Sequence, residues 1–145
     1  MASTSTYLNF PRCTEEAFLF YRSIFGGEFT RGGIKRFSDV PTGDGMMAVA
    51  DEDKDLIMHV ELPILGGHLL MGTDAPESFG FSVNFGNNVY ICLEPDSREE
   101  TDRLFDALSA GGTVTEGLQD TFWGSYYGIC IDRFGVQWMF NYIHP

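Results

Sequence analysis

Thr14 to Thr30 reads TEEAFLFYRSIFGGEFT, and Glu99 to Thr115 reads EETDRLFDALSAGGTVT. Offset by 85 positions, Leu19 meets Leu104, Phe20 meets Phe105, Gly26-Gly27 meets Gly111-Gly112 and Thr30 meets Thr115. Each block follows an apolar, strand-like run, Tyr7-Leu8-Asn9-Phe10 and Tyr90-Ile91-Cys92-Leu93. Inside the first block Ala17, Phe18, Tyr21, Ile24 and Phe25 recur at helical spacing; inside the second Leu104, Phe105, Leu108 and Ala110 do. Thr14 is the expected N-cap of the first helix, and Asp96 or Ser97 that of the second, with glutamates in both first turns at the positive end of the helix dipole. The glycine pairs are expected to stop the helices in the left-handed conformation that glycine adopts at low cost.

The pattern continues past the helices. Residues 28–37 read as a strand, Leu56 to Leu62 as another, and His68 to Thr73 as its hairpin partner across the Pro63 to Gly67 turn. The ending IDRFGVQWMF (residues 131–140) repeats ELPILGGHLLMG (residues 61–72) at an offset of 68, so Gly67 meets Gly135 and Met71 meets Met139. The smaller offset assigns the first half about 17 extra residues, which fall in the Pro-, Gly- and acid-rich stretch 38–55. That stretch is expected to be a long loop with some strand around Met46 to Val49. The predicted fold is therefore α+β: two β-α-β-β-β modules forming curved sheets around a cleft. The chain is expected to be a single domain over 1–145, with module one at 1–75, a connector at 76–87 and module two at 88–145. Modules this small cannot bury a core alone and are expected to pack on one another around a concave pocket.

Composition narrows the function classes. Hydrophobic residues make up 43% of 145, with thirteen Phe, six Tyr and two Trp, enough for a core. The net charge of −12 repels phosphate backbones, so nucleic acid is an unexpected partner. No stretch approaches the ~20 apolar residues of a membrane span, and MASTSTYLNFPRC at the start has no secretory pattern. Cys13, Cys92 and Cys130 show no metal-ligand spacing, and a cytoplasmic protein with reduced thiols is expected. Cys13, before a helix start, is the one thiol whose pKa the dipole could lower.

Several segments together resemble the PhnB-like (YjdN-type) branch of the glyoxalase / bleomycin-resistance / dioxygenase (vicinal oxygen chelate) superfamily. They are Tyr7-Leu8-Asn9-Phe10, Glu15-Glu16-Ala17 with Phe20-Tyr21, Phe25-Gly26-Gly27-Glu28, Met58-His59 with Glu61-Leu62, Thr121-Phe122-Trp123-Gly124 to Tyr127-Gly128, and Asp132 to Trp138 with Asn141. The resemblance implies a homodimer and a cleft that in the superfamily's enzymes holds a divalent metal on His, Glu or Gln from the first and last strand of each module. Carried over by position, those slots fall at Thr6 or Tyr7, at Met71, near Val89 or Tyr90, and at Met139. None offers a carboxylate or imidazole, and thioethers suit soft ions instead. No metal and no cofactor are expected, and Gly26-Gly27 and Gly111-Gly112 follow helices rather than opening them, unlike dinucleotide loops.

The remaining chemistry lies at His59 and Glu61, which a spacing of two places on one strand face, with His68 nearby as a third candidate. His59 and Glu61 are the candidate acid–base pair. Met71, Tyr90, Trp123, Tyr126 and Met139 are the candidate ligand-binding residues, Trp123 facing either cleft or core. The first functional expectation is a metal-free protein binding a small molecule in an apolar cleft. The alternatives are a metal-dependent lyase, isomerase or dioxygenase using His59, Glu61 and His68, and a structural dimer with a vestigial cleft.

Overall fold

A computed structural model describes residues 1–40 and 49–144. The chain forms two compact units, Met1–Val83 and Asn84–Pro145, each a four-stranded mixed sheet with one helix. In the first unit β1 (Thr6–Phe10) leads to α1 (Thr14–Phe25), a two-residue β2 (Lys35–Arg36), β3 (Ile57–Pro63) and β4 (Leu69–Asp74). In the second, β5 (Ile91–Leu93) leads to α2 (Arg98–Ser109), β6 (Thr113–Asp120), β7 (Ser125–Ile131) and β8 (Gln137–Ile143). Strand orders are β1-β4-β3-β2 and β5-β8-β7-β6, so the sequence repeat is a repeat of topology. The first strand of each unit pairs parallel to the last, and the other pairings are antiparallel.

In the first unit Phe10, Phe18, Tyr21, Ile57, Val60, Leu62 and Leu70 are at most 1% exposed. In the second, Leu104, Leu108, Cys130, Trp138 and Phe140 are fully buried. Each large side chain so buried stabilises by ~1.5–3 kcal/mol relative to exposure. Helix and sheet approach closely at Gly72, where a Cβ would stand 2.5 Å from the Phe18 ring. In the second unit Asp132 organises the β7–β8 turn. Its carboxylate accepts from the Phe134 and Val136 backbone N–H groups (2.8 and 3.1 Å) and from Trp138 Nε1 (2.8 Å).

The two helices begin differently. Ser97 caps α2 locally, its Oγ accepting from the Glu100 N–H at 3.1 Å. Thr14 does not cap α1; it is the first helical residue, and the preceding Cys13 makes no side-chain cap bond. The acceptor comes instead from the end of β4. Asp74 Oδ1 accepts from Thr14 N–H and Oγ1 (3.1 and 2.8 Å), and Oδ2 accepts from the Ile57 N–H (2.8 Å). Cys13 is also corrected: burial, with the Asp74 and Glu16 charges, pushes its thiol up rather than down.

The strand expected over 28–37 shrinks to Lys35–Arg36. Arg31, Gly32 and Gly33 hold φ of 54°, 86° and 83° in succession, and a left-handed run cannot continue a strand. The glycine stops are also revised in one place. Gly26, Gly27 and Gly111 have positive φ, but Gly112 does not. Gly112 is required for space, because a Cβ there would lie 2.1 Å from the Ile131 carbonyl oxygen. In the expected loop 38–55, single 3₁₀ turns occupy Phe37–Asp39 and Asp51–Asp53. The strand expected around Met46 to Val49 falls mostly at residues outside the described ones. Asp53, 1% exposed, accepts from Arg12 Nη1 (2.8 Å) and Ser78 Oγ (2.6 Å), tying the loop to the β1–α1 junction and to the turn at Glu77–Phe79.

Candidate functional site

Alternation assigns the two faces of the first sheet. Val60, Leu62, Leu70 and Gly72 share the face on α1, because Val60 is paired with Gly72 and Leu62 with Leu70. The residues between them turn the other way. Glu61 stands opposite Met71, Tyr7 beside Met71, and Lys35 opposite His59. Tyr7, Lys35, His59, Glu61 and Met71 thus gather on the face away from the helix.

Three of these side chains join in one chain of hydrogen bonds. Tyr7 Oη lies 3.1 Å from His59 Nδ1, and His59 Nε2 lies 2.8 Å from Glu61 Oε2. The Tyr7 and His59 rings are 5.7 Å apart, inclined at 35°. The other carboxylate oxygen, Glu61 Oε1, accepts from Thr30 Oγ1 at 3.1 Å and has Arg31 Nε at 3.4 Å. Glu61 is 3% exposed. The His59 bond, outweighing burial, together with Thr30 and the Arg31 charge, holds its carboxyl below the usual glutamate range. It is therefore ionised at neutral pH and can only accept, so the proton of the shared bond sits on His59 Nε2. In the neutral imidazole Nδ1 is then the acceptor, and Tyr7 donates to it. Burial is the main influence raising the Tyr7 phenol, with the Glu61 charge adding to it and a hydrogen bond from Thr73 opposing.

The expected third candidate is placed apart. His68 Nε2 pairs with Thr6 Oγ1 at 2.8 Å rather than with Glu61. Among the described residues no three His, Cys, Asp or Glu side chains come together as a metal-ligand group. The donor set does not fit the cation that the superfamily's enzymes hold.

In the second unit Met139 stands beside Cys92 and opposite Ile129, again on the face away from the helix. Tyr90 precedes β5 and is 37% exposed. Cys92 is exposed; Cys130 is the buried thiol, pushed up by burial to about 12. Tyr126 is placed differently from the expectation. Its Oη donates to Asp102 Oδ1 on α2, and the Arg98 guanidinium lies 3.8 Å over its ring, so it belongs to the helix side. Trp123 is not a core residue: it lies in the β6–β7 turn, 61% exposed, edge-on to Phe122, itself 97% exposed. Sequence reasoning missed Thr30, Arg31 and Lys35 as neighbours of the pair. The i, i+2 alternation of β1 carried the signal for Tyr7, whereas nothing in the 28–37 stretch announced that a left-handed turn delivers Thr30 and Arg31 to Glu61.

Paired β-α-β-β-β units are the architecture of the glyoxalase/bleomycin-resistance/dioxygenase proteins. A member of that family from Burkholderia phytofirmans superposes with a TM-score of 0.60 at 18% identity, covering 96% of this chain and 98% of its own. A crystal structure of protein PA1353 from Pseudomonas aeruginosa superposes with a TM-score of 0.83 at 34% identity over the whole of both chains. Protein YjdN of Escherichia coli is 27% identical over 148 aligned residues, 96% of this chain and 94% of YjdN. The family model described as 3-demethylubiquinone-9 3-methyltransferase matches residues 2–140, and the chain belongs to that family. In this chain the glycine pairs end helices α1 and α2, so neither forms a helix-opening loop of the kind that cradles a nucleotide-type methyl donor.

Proposed function

We propose that the protein binds a small molecule against the face of its first sheet that turns away from α1, with His59 and Glu61 as the polar anchor and Met71 and Tyr7 as apolar contacts. The observation that carries this reading is Glu61, an ionised carboxylate 3% exposed on the sheet face turned away from α1. A buried charge costs several kcal/mol unless paired, and such groups concentrate where a ligand uses them. Here the pairing is complete through His59, Thr30 and Arg31, which fixes the imidazole in orientation. Met71 beside the pair supplies a polarizable, adaptable surface.

A thermal-shift screen with amphipathic and aromatic small molecules tests the reading, since ligands that bind only the folded state raise the melting temperature. Hits that survive Trp123→Ala and are lost in His59→Gln support it. A blank screen favours a structural role for the face. Stoichiometric metal in the purified protein, with metal-dependent turnover of dicarbonyl compounds, would replace it with the metal-dependent enzyme reading. We also propose a cytoplasmic homodimer; light scattering at twice the 16.2 kDa chain mass is the expected result.

A further inference from the structure

We infer that Glu61, His59 and Tyr7 form a proton relay whose outer end, Tyr7 Oη, exchanges a proton with a small, weakly acidic O–H ligand, a phenol or an enol. The inference rests on the small-molecule reading of the same face and adds the ligand's chemistry and the residue that meets it.

The geometry is a graded line from interior to surface. The Glu61 side chain is 4% exposed, that of His59 26%, and Tyr7 as a residue 48%. A carboxylate that orients an imidazole, which in turn accepts from a hydroxyl, is the arrangement that makes a hydroxyl exchange its proton in nucleophilic enzymes. Here the hydroxyl is a phenol, which transfers protons readily but is a poor nucleophile. The step balances without a co-reactant. The ligand O–H gives its proton to Tyr7 Oη while the Tyr7 proton passes to His59 Nδ1. The products are a ligand oxyanion and an imidazolium, with Tyr7 again neutral, and Glu61 stabilises the imidazolium. Reversal returns the proton.

The charges around the relay favour an anion as product. Lys35 on β2 is the register partner of His59 and, among the described residues, has no ion-pair partner. Arg31, from the 30–33 turn, brings its Nε to 3.4 Å from Glu61 Oε1. From β3 come His59 and Glu61 themselves; β4 brings Met71 and the Thr73 hydroxyl, neither of them charged. In a chain of net charge −12, two cations and one imidazole around one carboxylate make this a locally positive face. An oxyanion formed at Tyr7 would meet a donor hydroxyl and nearby positive charge rather than a second carboxylate.

Two measurements on the full chain test this. Without any ligand, the ring ¹⁵N shifts of His59 read the tautomer. The expected form is protonated at Nε2 with a free Nδ1, retained in Tyr7→Phe and lost in Glu61→Gln; an Nδ1-protonated neutral ring overturns the relay. The second uses 4-nitrophenol, whose phenolate is coloured, titrated while bound. The bound probe is expected to ionise at least ~1 pH unit lower than free probe, about a tenfold preference for phenolate. His59→Gln and Tyr7→Phe should each weaken binding of the probe, and at protein concentrations high enough to restore saturation the bound probe should ionise as free probe does, the displacement being abolished. Binding without displacement, or displacement that persists in His59→Gln, overturns the relay and leaves the small-molecule reading standing. Failure of 4-nitrophenol to bind overturns the phenol or enol assignment, and only a blank thermal-shift screen would also remove the reading on which it rests.

Discussion

Replacing Asp74 by alanine removes an acceptor that serves two separate backbone elements. Asp74 is 4% exposed and Thr14 fully buried, so water cannot substitute for the lost carboxylate. Three donors lose their partner at once: Thr14 N–H, Thr14 Oγ1 and Ile57 N–H. Loss of a helix cap typically costs ~1 kcal/mol, and a buried donor left unsatisfied ~1–3 kcal/mol. These terms overlap, because Thr14 Oγ1 can rotate to a new acceptor, so the expected loss is about 3–4 kcal/mol. Asp74→Asn separates geometry from charge. Its one carbonyl oxygen keeps the Thr14 bonds, but its amide faces the Ile57 N–H, donor against donor, and about 1–2 kcal/mol is expected. Urea unfolding followed by far-UV circular dichroism is the assay, because Trp123 and Trp138 both lie in the second unit and their fluorescence reports that unit. With a slope of ~1–3 kcal/mol per molar urea, the alanine variant's midpoint should fall by about 1–4 M. An alanine variant within ~0.5 kcal/mol of the parent, the ordinary scatter of surface substitutions, would refute the account of how α1 is started.

Gly112→Ala should destabilise by ~1–3 kcal/mol or more, since its methyl group would press on the Ile131 carbonyl; thermal unfolding checks this. Trp123→Ala should change stability by no more than ~0.5 kcal/mol, because the ring is mostly in solvent, so a large loss in the same measurement would contradict its exposure. Glu15, Asp53, Glu61, Glu77 and Asp120 are all held below their ordinary carboxyl range by paired donors, Asp120 down to about 2 beside Arg98 and His144. Such groups bind fewer protons folded than unfolded, so their stabilisation is fully present above about pH 5 and drains away as the pH falls below ~4. Urea midpoints at pH 7 and pH 3 should therefore differ, the acid value being lower. Cys130, raised to about 12, has the opposite sign: its contribution is intact below the ordinary thiol range and is lost as the pH climbs through it, which Cys130→Ser should flatten.

Much of the architecture follows from local patterns read along the chain. Helical spacing announces both helices, observed at Thr14–Phe25 and Arg98–Ser109, each followed by a glycine pair. The offset of 68 aligns β3 with β7 and β4 with β8, residue for residue at their starts. Period-two alternation also puts His59 and Glu61 on one face, because a pleated strand allows nothing else. These are short-range consequences of backbone geometry, and a linear sequence carries them in full.

Other features depend on contacts that sequence spacing does not encode. The start of α1 is capped from 60 residues away by Asp74, although Thr14 has the composition of a cap. Left-handed backbone at Arg31 to Gly33 shortens β2 to two residues and turns Thr30 and Arg31 onto Glu61. Only the parallel pairing of β1 with β4, beside β3, brings Tyr7 to within 3.1 Å of His59 across 52 residues. Tyr126 and Tyr127 are adjacent in sequence, and the strand's pleat sends the first to Asp102 on the helix. Periodicity thus determined which elements form and which face each residue takes. Strand pairing and turn geometry decided which of those faces meet, because those choices are made between segments that the chain keeps far apart.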